Sequence, residues 1–319
     1  MDRDRGGRGV HPRLSLTEEE VRRAYSLVED SSDVPDNFAG LPPELSDPDR
    51  SAFAVLPVPF EATVSYGRGA SRGPAAIIEA SRHMELLDAH TGRSPFALGI
   101  ATLPPVEAAE AADMVEAVRA ATAELLGRGT FPVVLGGEHT VSLGAIRAAA
   151  EGGPLGVVQL DAHADLRDAF DGDPLSHACV MRRALETEGV AALLQAGVRS
   201  YSHFEREALA SPRVLTLPAA GFDAAETAER LDFLPDRVWL TVDLDVFDPS
   251  LMPATGTPEP GGLSWEAAER FLDALFERKR VVGMDVVELA PVDGLHHPQF
   301  TAAVLAYRCL ARKVEESAS

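Results

Sequence analysis

Seven short apolar runs recur along this 319-residue chain, at 53–58, 131–135, 155–160, 193–197, 213–217, 237–242 and 280–287. They are predominantly apolar, not alternating. A strand solvated on one face alternates apolar and polar positions, so runs such as Leu155 to Leu160 need a sheet covered on both faces, which parallel strands joined by crossover helices provide. Segments of helical period lie between the runs, at 73–88, 107–127, 141–150, 264–278 and 299–315. This βαβ rhythm predicts a three-layer α/β/α fold with a mainly parallel central sheet. No fixed-period repeat interrupts it.

The rhythm begins near residue 51, so the chain reads as an N-terminal arm, 1–50, followed by a single α/β domain, 51–319. A sheet of many strands can occupy that length as one domain. Within the arm, residues 1–14 are rich in Gly and Arg, and Asp30 to Arg50 reads as a long polar connection. Between them Thr17 and Glu20 match a capping box, and Val21, Tyr25 and Val28 supply the apolar face of a short helix. The arm is expected to pack on the main body or on a neighbouring subunit.

In open parallel sheets ligands bind outside the carboxyl ends of the strands, so the polar residues there carry the functional signal. The run ending at Leu160 is followed by Asp161, His163 and Asp165, three potential ligands at every second position. The run ending at Val242 is followed by Asp243 and Asp245, and the run ending at Leu135 leads through Gly136, Gly137 and Glu138 into His139. A lone acidic residue at a strand end is ordinarily a turn former or helix cap. Four carboxylates and two imidazoles after three strands are another matter, because facing carboxylates must be paired or must coordinate metal. Six protein ligands exceed what one catalytic ion with an open position accepts, but they suit two ions sharing carboxylates. The oxygen-rich set favours two manganese ions, with zinc, cobalt or nickel as alternatives.

Charge agrees in sign: 29 basic against 50 acidic residues give −21, which repels nucleic acid and anionic membrane and draws in a cationic ligand. Two cysteines, Cys179 and Cys309, make no disulfide framework and fit a reducing cytoplasm. The start lacks an apolar stretch suited to a signal peptide, and no window approaches a membrane span.

Taken together, GGEHT at 136–140, DAHAD at 161–165, SHACVMRR at 176–183, VDLDVFDPS at 242–250, ATGTPEPGG at 254–262 and GMDVVELAP at 283–291 resemble the ureohydrolase family, the arginase and agmatinase group. PFEATVSYGRGASRGPAAI at 59–77 extends the similarity, which runs from about Val55 to Cys309. The resemblance implies an arginase-like fold and hydrolysis of a guanidino compound to urea and an amine. It implies that His139, Asp161, Asp165 and Asp243 hold one ion, and that Asp161, His163, Asp243 and Asp245 hold the other. Glu288 then matches the carboxylate set against the guanidinium, His177 the proton-shuttling histidine, and Thr257 a residue of the substrate channel. Relatives commonly form trimers or hexamers, which implies a homo-oligomer.

The chemistry gives independent reasons for these roles. A guanidinium is a poor electrophile, so attack needs a strong nucleophile held in place, and two cations can lower the pKa of a shared water toward neutrality. Asp165 can accept that water's hydrogen bond, Glu288 can align the planar cation through paired charge-assisted bonds, and His177 can protonate the departing amine. The loop after Asp165 carries Asp168, Asp171 and Asp173, an acidic rim that suits the distal ammonium of agmatine. Agmatine is therefore the first expected substrate, ahead of arginine or guanidinobutyrate, although Arg167 offers a carboxylate partner. Two rivals stand beside this. Cys179, near His177 and Arg182, is a candidate thiolate nucleophile, but a Cys just inside a helix is usually packing and would leave six metal ligands unexplained. A non-enzymatic metal- or guanidine-binding relative would have shed a ligand, Glu288 or His177, and none is missing; deacetylases of similar fold use one zinc. His11, His83, His90, His203, His296 and His297 fall outside the motif strands, with the last two expected to border the cleft. Trp239 and Trp265 read as core, and Met252 and Thr255 as further channel candidates.

Overall fold

The computed structural model describes residues 14–31 and 34–316; the Gly/Arg-rich start and His11 lie outside the described residues. Eight strands form one sheet: β1 Phe53–Val58, β2 Ile100–Thr102, β3 Phe131–Gly136, β4 Leu155–Leu160, β5 Val190–Val198, β6 Val214–Pro218, β7 Arg237–Asp243 and β8 Arg280–Val287. Their order across the sheet is β2-β1-β3-β8-β7-β4-β5-β6, and every pairing is parallel. The last of these eight strands in sequence thus inserts between β3 and β7. Four strands far apart in sequence, β3, β8, β7 and β4, become neighbours at the centre.

Helices cover both faces: α1 Glu18–Glu29, α2 Gly73–Ser81, α3 Ala111–Gly127, α4 Ser142–Ala150, α5 Val180–Glu186, α6 Ala224–Arg230, α7 Trp265–Arg278 and α8 His297–Lys313. Because strand side chains alternate, each strand feeds two cores. Phe53, Val133 and Leu240 pack on one face with Ile77 of α2, Phe271 of α7 and Leu305 of α8. Leu56, Val157 and Trp239 pack on the other with Val115 of α3, Ile146 of α4 and Met181 of α5. Truncating any of these buried aliphatic side chains to Ala costs about 2–5 kcal/mol, so both cores hold the strand ends in place.

The α/β reading stands, with local corrections. The helix expected over 73–88 stops at Ser81, whose hydroxyl donates to the Ile78 carbonyl (2.6 Å) and accepts from the Ala39 N–H (2.8 Å). The helix expected from 107 starts at Ala111, because Leu103 and Val106 donate their N–H groups to Val55 and Pro57 and keep the preceding chain extended along β1. The polar connection of the arm is anchored: Phe38 and Leu41 are wholly buried, and the Phe38 N–H bonds Thr102 Oγ1 at 2.9 Å. The Thr17/Glu20 capping box is present, and Tyr25 of α1 packs edge-on against Phe96 with ring centroids 4.9 Å apart. Ser15–Leu16 pairs in parallel with Glu315–Glu316, tying the described arm to the main body. No helix among the described residues is long and apolar enough to cross a membrane.

Candidate functional site

The carboxyl ends of the four central strands deliver their polar residues to one cleft. His139, Asp161, Asp165, Asp243 and Asp245 are all buried, while a quarter of the His163 side chain is exposed. His139 Nδ1 lies 3.1 Å from Asp161 Oδ2, 3.0 Å from Asp165 Oδ2 and 3.6 Å from Asp243 Oδ2. His163 Nδ1 lies 2.9 Å from Asp245 Oδ2 and 3.6 Å from Asp161 Oδ1. Two triads, His139/Asp161/Asp165 and Asp161/His163/Asp245, each bring one ligand atom per residue within 4.8 Å of one another. Asp161 belongs to both. Asp243 joins through its approach to His139 and through Oδ1, which accepts the Asp245 N–H at 2.9 Å.

Hydrogen bonding behind His139 shows what the pocket is built to hold. Its Nε2 sits 2.8 Å from Thr241 Oγ1, and Thr241 gives its own proton to Asp285 Oδ1 at 2.6 Å. The hydroxyl therefore accepts, so Nε2 carries a proton, and a neutral ring would turn the Nδ1 lone pair toward three carboxylate oxygens. Nδ1 is buried and has no hydrogen-bond partner. A lone pair facing anions is stable only around a cation. With protein groups alone the cluster would recruit protons. Burial opposes charging His139, but Asp161 and Asp165 outweigh it and hold it well above its usual value. His163 is likewise pushed up to about 12, burial being overcome chiefly by the charge of Asp245. Burial and the neighbouring carboxylates push Asp243 well up. Shared divalent cations relieve the same electrostatics, so the donor set fits them.

Two residues of the site are held in left-handed backbone conformations: Asp165 at φ 52° and Glu288 at φ 66°. Such geometry costs on the order of 1–3 kcal/mol and persists only where the surroundings enforce it. Here the Asp165 carbonyl accepts from Met181 and Arg182 at the start of α5, and the Glu288 N–H bonds Gly137 O at 2.8 Å. Glu288 Oε1 accepts the His139 N–H at 2.6 Å. Burial is the main force raising Glu288 to about 8, with Glu138 and Asp245 adding to it and His139 opposing. Such a carboxyl is suited to meeting a cation. Across the cleft, His177 Nδ1 is 3.0 Å from Thr63 Oγ1, and Thr63 Oγ1 donates to buried Glu138 at 3.0 Å.

The cleft, a cavity of about 270 Å³, is lined by His139, His163, Asp165, Asp243, Asp245 and Glu288 at its floor and by Thr257 and His177 on its walls. Toward the mouth stand Tyr66, Phe170 and Tyr201, and Tyr66 and Tyr201 are 84% and 58% exposed. The acidic rim expected from 168–173 is not part of this lining. Asp168 turns to Arg183 at 2.6 Å, and Asp173 accepts the Leu175 N–H at 2.8 Å. Arg167 does line the cleft, but its guanidinium stacks over Phe170 at 4.7 Å and its Nε is 3.9 Å from buried Glu205. Cys179 is buried, and burial pushes its thiol up to about 11, the reverse of what a thiolate nucleophile needs. His296 and His297 begin α8 and do not line the cleft; Met252 and Thr255, expected as channel residues, are buried and are not part of its lining either. Trp239 is core, and Trp265 is partly buried against the first core.

One layer went unread in the sequence. Thr216, Gln195, Gln159, Thr241 and Asp285 are register partners across β6, β5, β4, β7 and β8, a transverse polar row one turn of the pleat below the ligands. Gln159, Gln195, Thr241 and Asp285 are wholly buried. Thr216 donates to Gln195 (3.1 Å), Gln195 to Gln159 (2.6 Å), and Gln159 to Asp161 Oδ2 (2.7 Å). On the other side, Asp285 accepts from Thr241, from Ser142 (2.9 Å) and from Trp239 (2.6 Å), behind His139. The available signal was a polar residue at the same depth in five of the seven otherwise apolar runs.

Comparison with known proteins agrees with this geometry. The arginase family model matches residues 51–311. An N(1)-aminopropylagmatine ureohydrolase of Synechocystis sp. is 41% identical over 277 residues, covering 82% of this chain and 88% of that protein. An agmatinase of Pyrococcus horikoshii is 32% identical, covering 80% and 89%. The crystal structure of an agmatine ureohydrolase of Thermoplasma volcanium superposes with a TM-score of 0.78 at 30% identity, covering 91% of this chain and 97% of that one.

Proposed function

This chain belongs to the arginase family and is a hydrolase, and on that premise we propose that it cleaves a guanidinoalkyl amine to urea and the free amine. The observation that carries the reading is the pair of carboxylate–imidazole triads sharing Asp161, with Glu288 and His177 in the same cleft. Two manganese ions, one held by His139, Asp161, Asp165 and Asp243 and the other by Asp161, His163, Asp243 and Asp245, would supply the Lewis acidity that makes water nucleophilic near neutral pH. The chain's own groups do the rest. Glu288 binds the guanidinium by charge-assisted hydrogen bonds, which fixes its plane and relieves the cost of ionising a buried carboxyl. Asp165, locked by its backbone bonds to α5, accepts a hydrogen bond from the attacking water. His177 donates a proton to the amine nitrogen as the tetrahedral intermediate collapses, so that a neutral amine departs.

For the rest of the substrate, we propose N(1)-aminopropylagmatine ahead of agmatine. At the mouth, the exposed rings of Tyr66 and Tyr201 offer π-faces to the ammonium groups of a long polyamine tail. The 41% identity to the Synechocystis N(1)-aminopropylagmatine ureohydrolase supports the same order. Agmatine itself is the second reading, favoured by the agmatinase of P. horikoshii and the T. volcanium structure. Arginine and guanidinobutyrate are disfavoured, because Arg167, which lines the cleft beside Phe170, already faces Glu205. Urea release by the manganese-loaded protein, measured over all four compounds, tests this. Turnover of arginine comparable to that of the two amines would overturn the assignment.

A further inference from the structure

His177 is held by more than its place on the wall of the cleft. Thr63 Oγ1 makes three contacts: it donates to Glu138 Oε1 at 3.0 Å, accepts the His177 backbone N–H at 3.0 Å, and lies 3.0 Å from His177 Nδ1. Its single proton has an assigned destination. Glu138 is wholly buried and every group bonded to its carboxylate is a donor: the N–H groups of Ala62 (2.6 Å) and Thr63 (2.7 Å) and the hydroxyls of Thr63 and Thr140 (2.8 Å). That carboxylate acts only as an acceptor, so the Thr63 hydroxyl proton goes to it, and the hydroxyl can meet Nδ1 only as an acceptor. Ser176 Oγ, at 3.4 Å from Nδ1, is the longer contact.

We propose that Thr63, anchored by Glu138, is a positioning residue that holds the His177 ring with a proton on Nδ1, leaving Nε2 as the one ring atom that exchanges protons with the cleft. A proton taken up at Nε2 makes the imidazolium, and the Nδ1–H···Oγ–H···carboxylate chain stabilises it without moving either of its own protons. Delivery from Nε2 to the departing amine returns the ring to the same neutral tautomer, so one proton enters and one leaves through one atom. A ring free to hold its proton on either nitrogen would spend part of its time unable to do so. The backbone fixes the arrangement as well: Glu138 receives the Thr63 N–H, so residue 63 cannot swing away without abandoning a buried carboxylate.

The inference rests on the assignment of His177 as proton donor, and the test separates the two. Three variants are compared, Thr63→Val, Thr63→Ser and His177→Gln, each checked for wild-type metal content and circular dichroism. The protein carries a diamagnetic divalent cation and 15N-labelled histidine, and the signal absent from His177→Gln identifies the ring. The expected result is an Nδ1–H tautomer in the parent and in Thr63→Ser, and a mixed population in Thr63→Val. With agmatine or N(1)-aminopropylagmatine, kcat of Thr63→Val should fall about 10- to 100-fold with KM within about twofold, and Thr63→Ser should recover most of it. An unchanged tautomer and kcat in Thr63→Val, beside an inactive His177→Gln, would overturn the role of Thr63 and leave that of His177 standing. Full activity in His177→Gln would remove the proton-donor reading, and the tautomer signal would still decide whether Thr63 sets the ring.

Discussion

The two triads that share Asp161 are built differently. On the His139 side the imidazole is 1% exposed, its far nitrogen is bonded to Thr241, and Thr241, Ser142 and Trp239 all converge on Asp285. On the His163 side the imidazole is 25% exposed and borders the cleft, and the main orienting contact is from Asp245, whose Oδ1 also accepts the Ala162 N–H at 2.9 Å. One half is part of the core; the other is assembled on the cleft wall. A ligand fixed by buried bonds loses little freedom when it binds an ion, so the His139 half should bind tighter and exchange more slowly.

Asp161, common to both halves, offers the largest way to break the comparison. Asp161→Asn should lose most bound metal and lower kcat/KM by about a thousandfold, the equivalent of ~4 kcal/mol of lost transition-state stabilisation. Metal analysis of the purified variant beside urea release checks it. One ion still bound at full strength would mean that the halves are independent.

The next contrast is between the two histidines. His139→Asn should shed the ion on its own side and leave Thr241 and the carboxylates without a buried partner, a penalty of about 1–3 kcal/mol visible as a fall in the Tm of the metal-free protein. His163→Asn, partly exposed, should shed one ion and leave that Tm within about 1 °C of the parent. Calorimetric titration with manganese, together with thermal unfolding, distinguishes them. Equal falls in Tm from both variants would erase the asymmetry between the halves.

These ligands were legible because they end strands: a polar group directly after an apolar run has no role in the core, and four carboxylates with two imidazoles called for a common cause. Thr257 and Glu288 were reachable only through resemblance, and the structure places both at the cleft. The strand pattern was likewise plain where runs were long and apolar. It failed at β2, three residues long, and at α5 and α6, seven residues each, where there is too little sequence for a period to show. The acidic loop misled for another reason. Composition gave the sign of its charge, but Asp168 is turned outward by Arg183, a partner fifteen residues away that only the fold brings near. Phe38 and Leu41, set among Asp and Pro, show the converse, since two buried anchors suffice to fasten a polar segment.

The polar row beneath the ligands sharpens the comparison further. Thr241→Val removes the acceptor for His139 Nε2, and Gln159→Leu removes the donor to Asp161 Oδ2; each should weaken manganese binding by about 10- to 100-fold. The distinction lies in which ion leaves. Thr241→Val should affect the His139 half alone, whereas Gln159→Leu, acting on the shared carboxylate, should weaken both. Titration isotherms that show one weakened site in the first variant and two in the second would agree.

The smallest effect lies farthest out, at Thr216 on the edge strand β6. Its hydroxyl donates to Gln195 Oε1 at 3.1 Å, two side chains removed from Asp161, and the residue is only partly buried. Gln195 would keep its own bonds to Gln159 Oε1 (2.6 Å) and Ala164 O (2.7 Å) after Thr216→Val, so its amide stays oriented by the shorter contacts. Manganese affinity should therefore change by less than about threefold, with orientation lost step by step along the row. A loss as large as that of Gln159→Leu would mean that the row acts as one unit from the sheet edge to the ligand. In that case both halves, not the His139 half alone, would be built into the core.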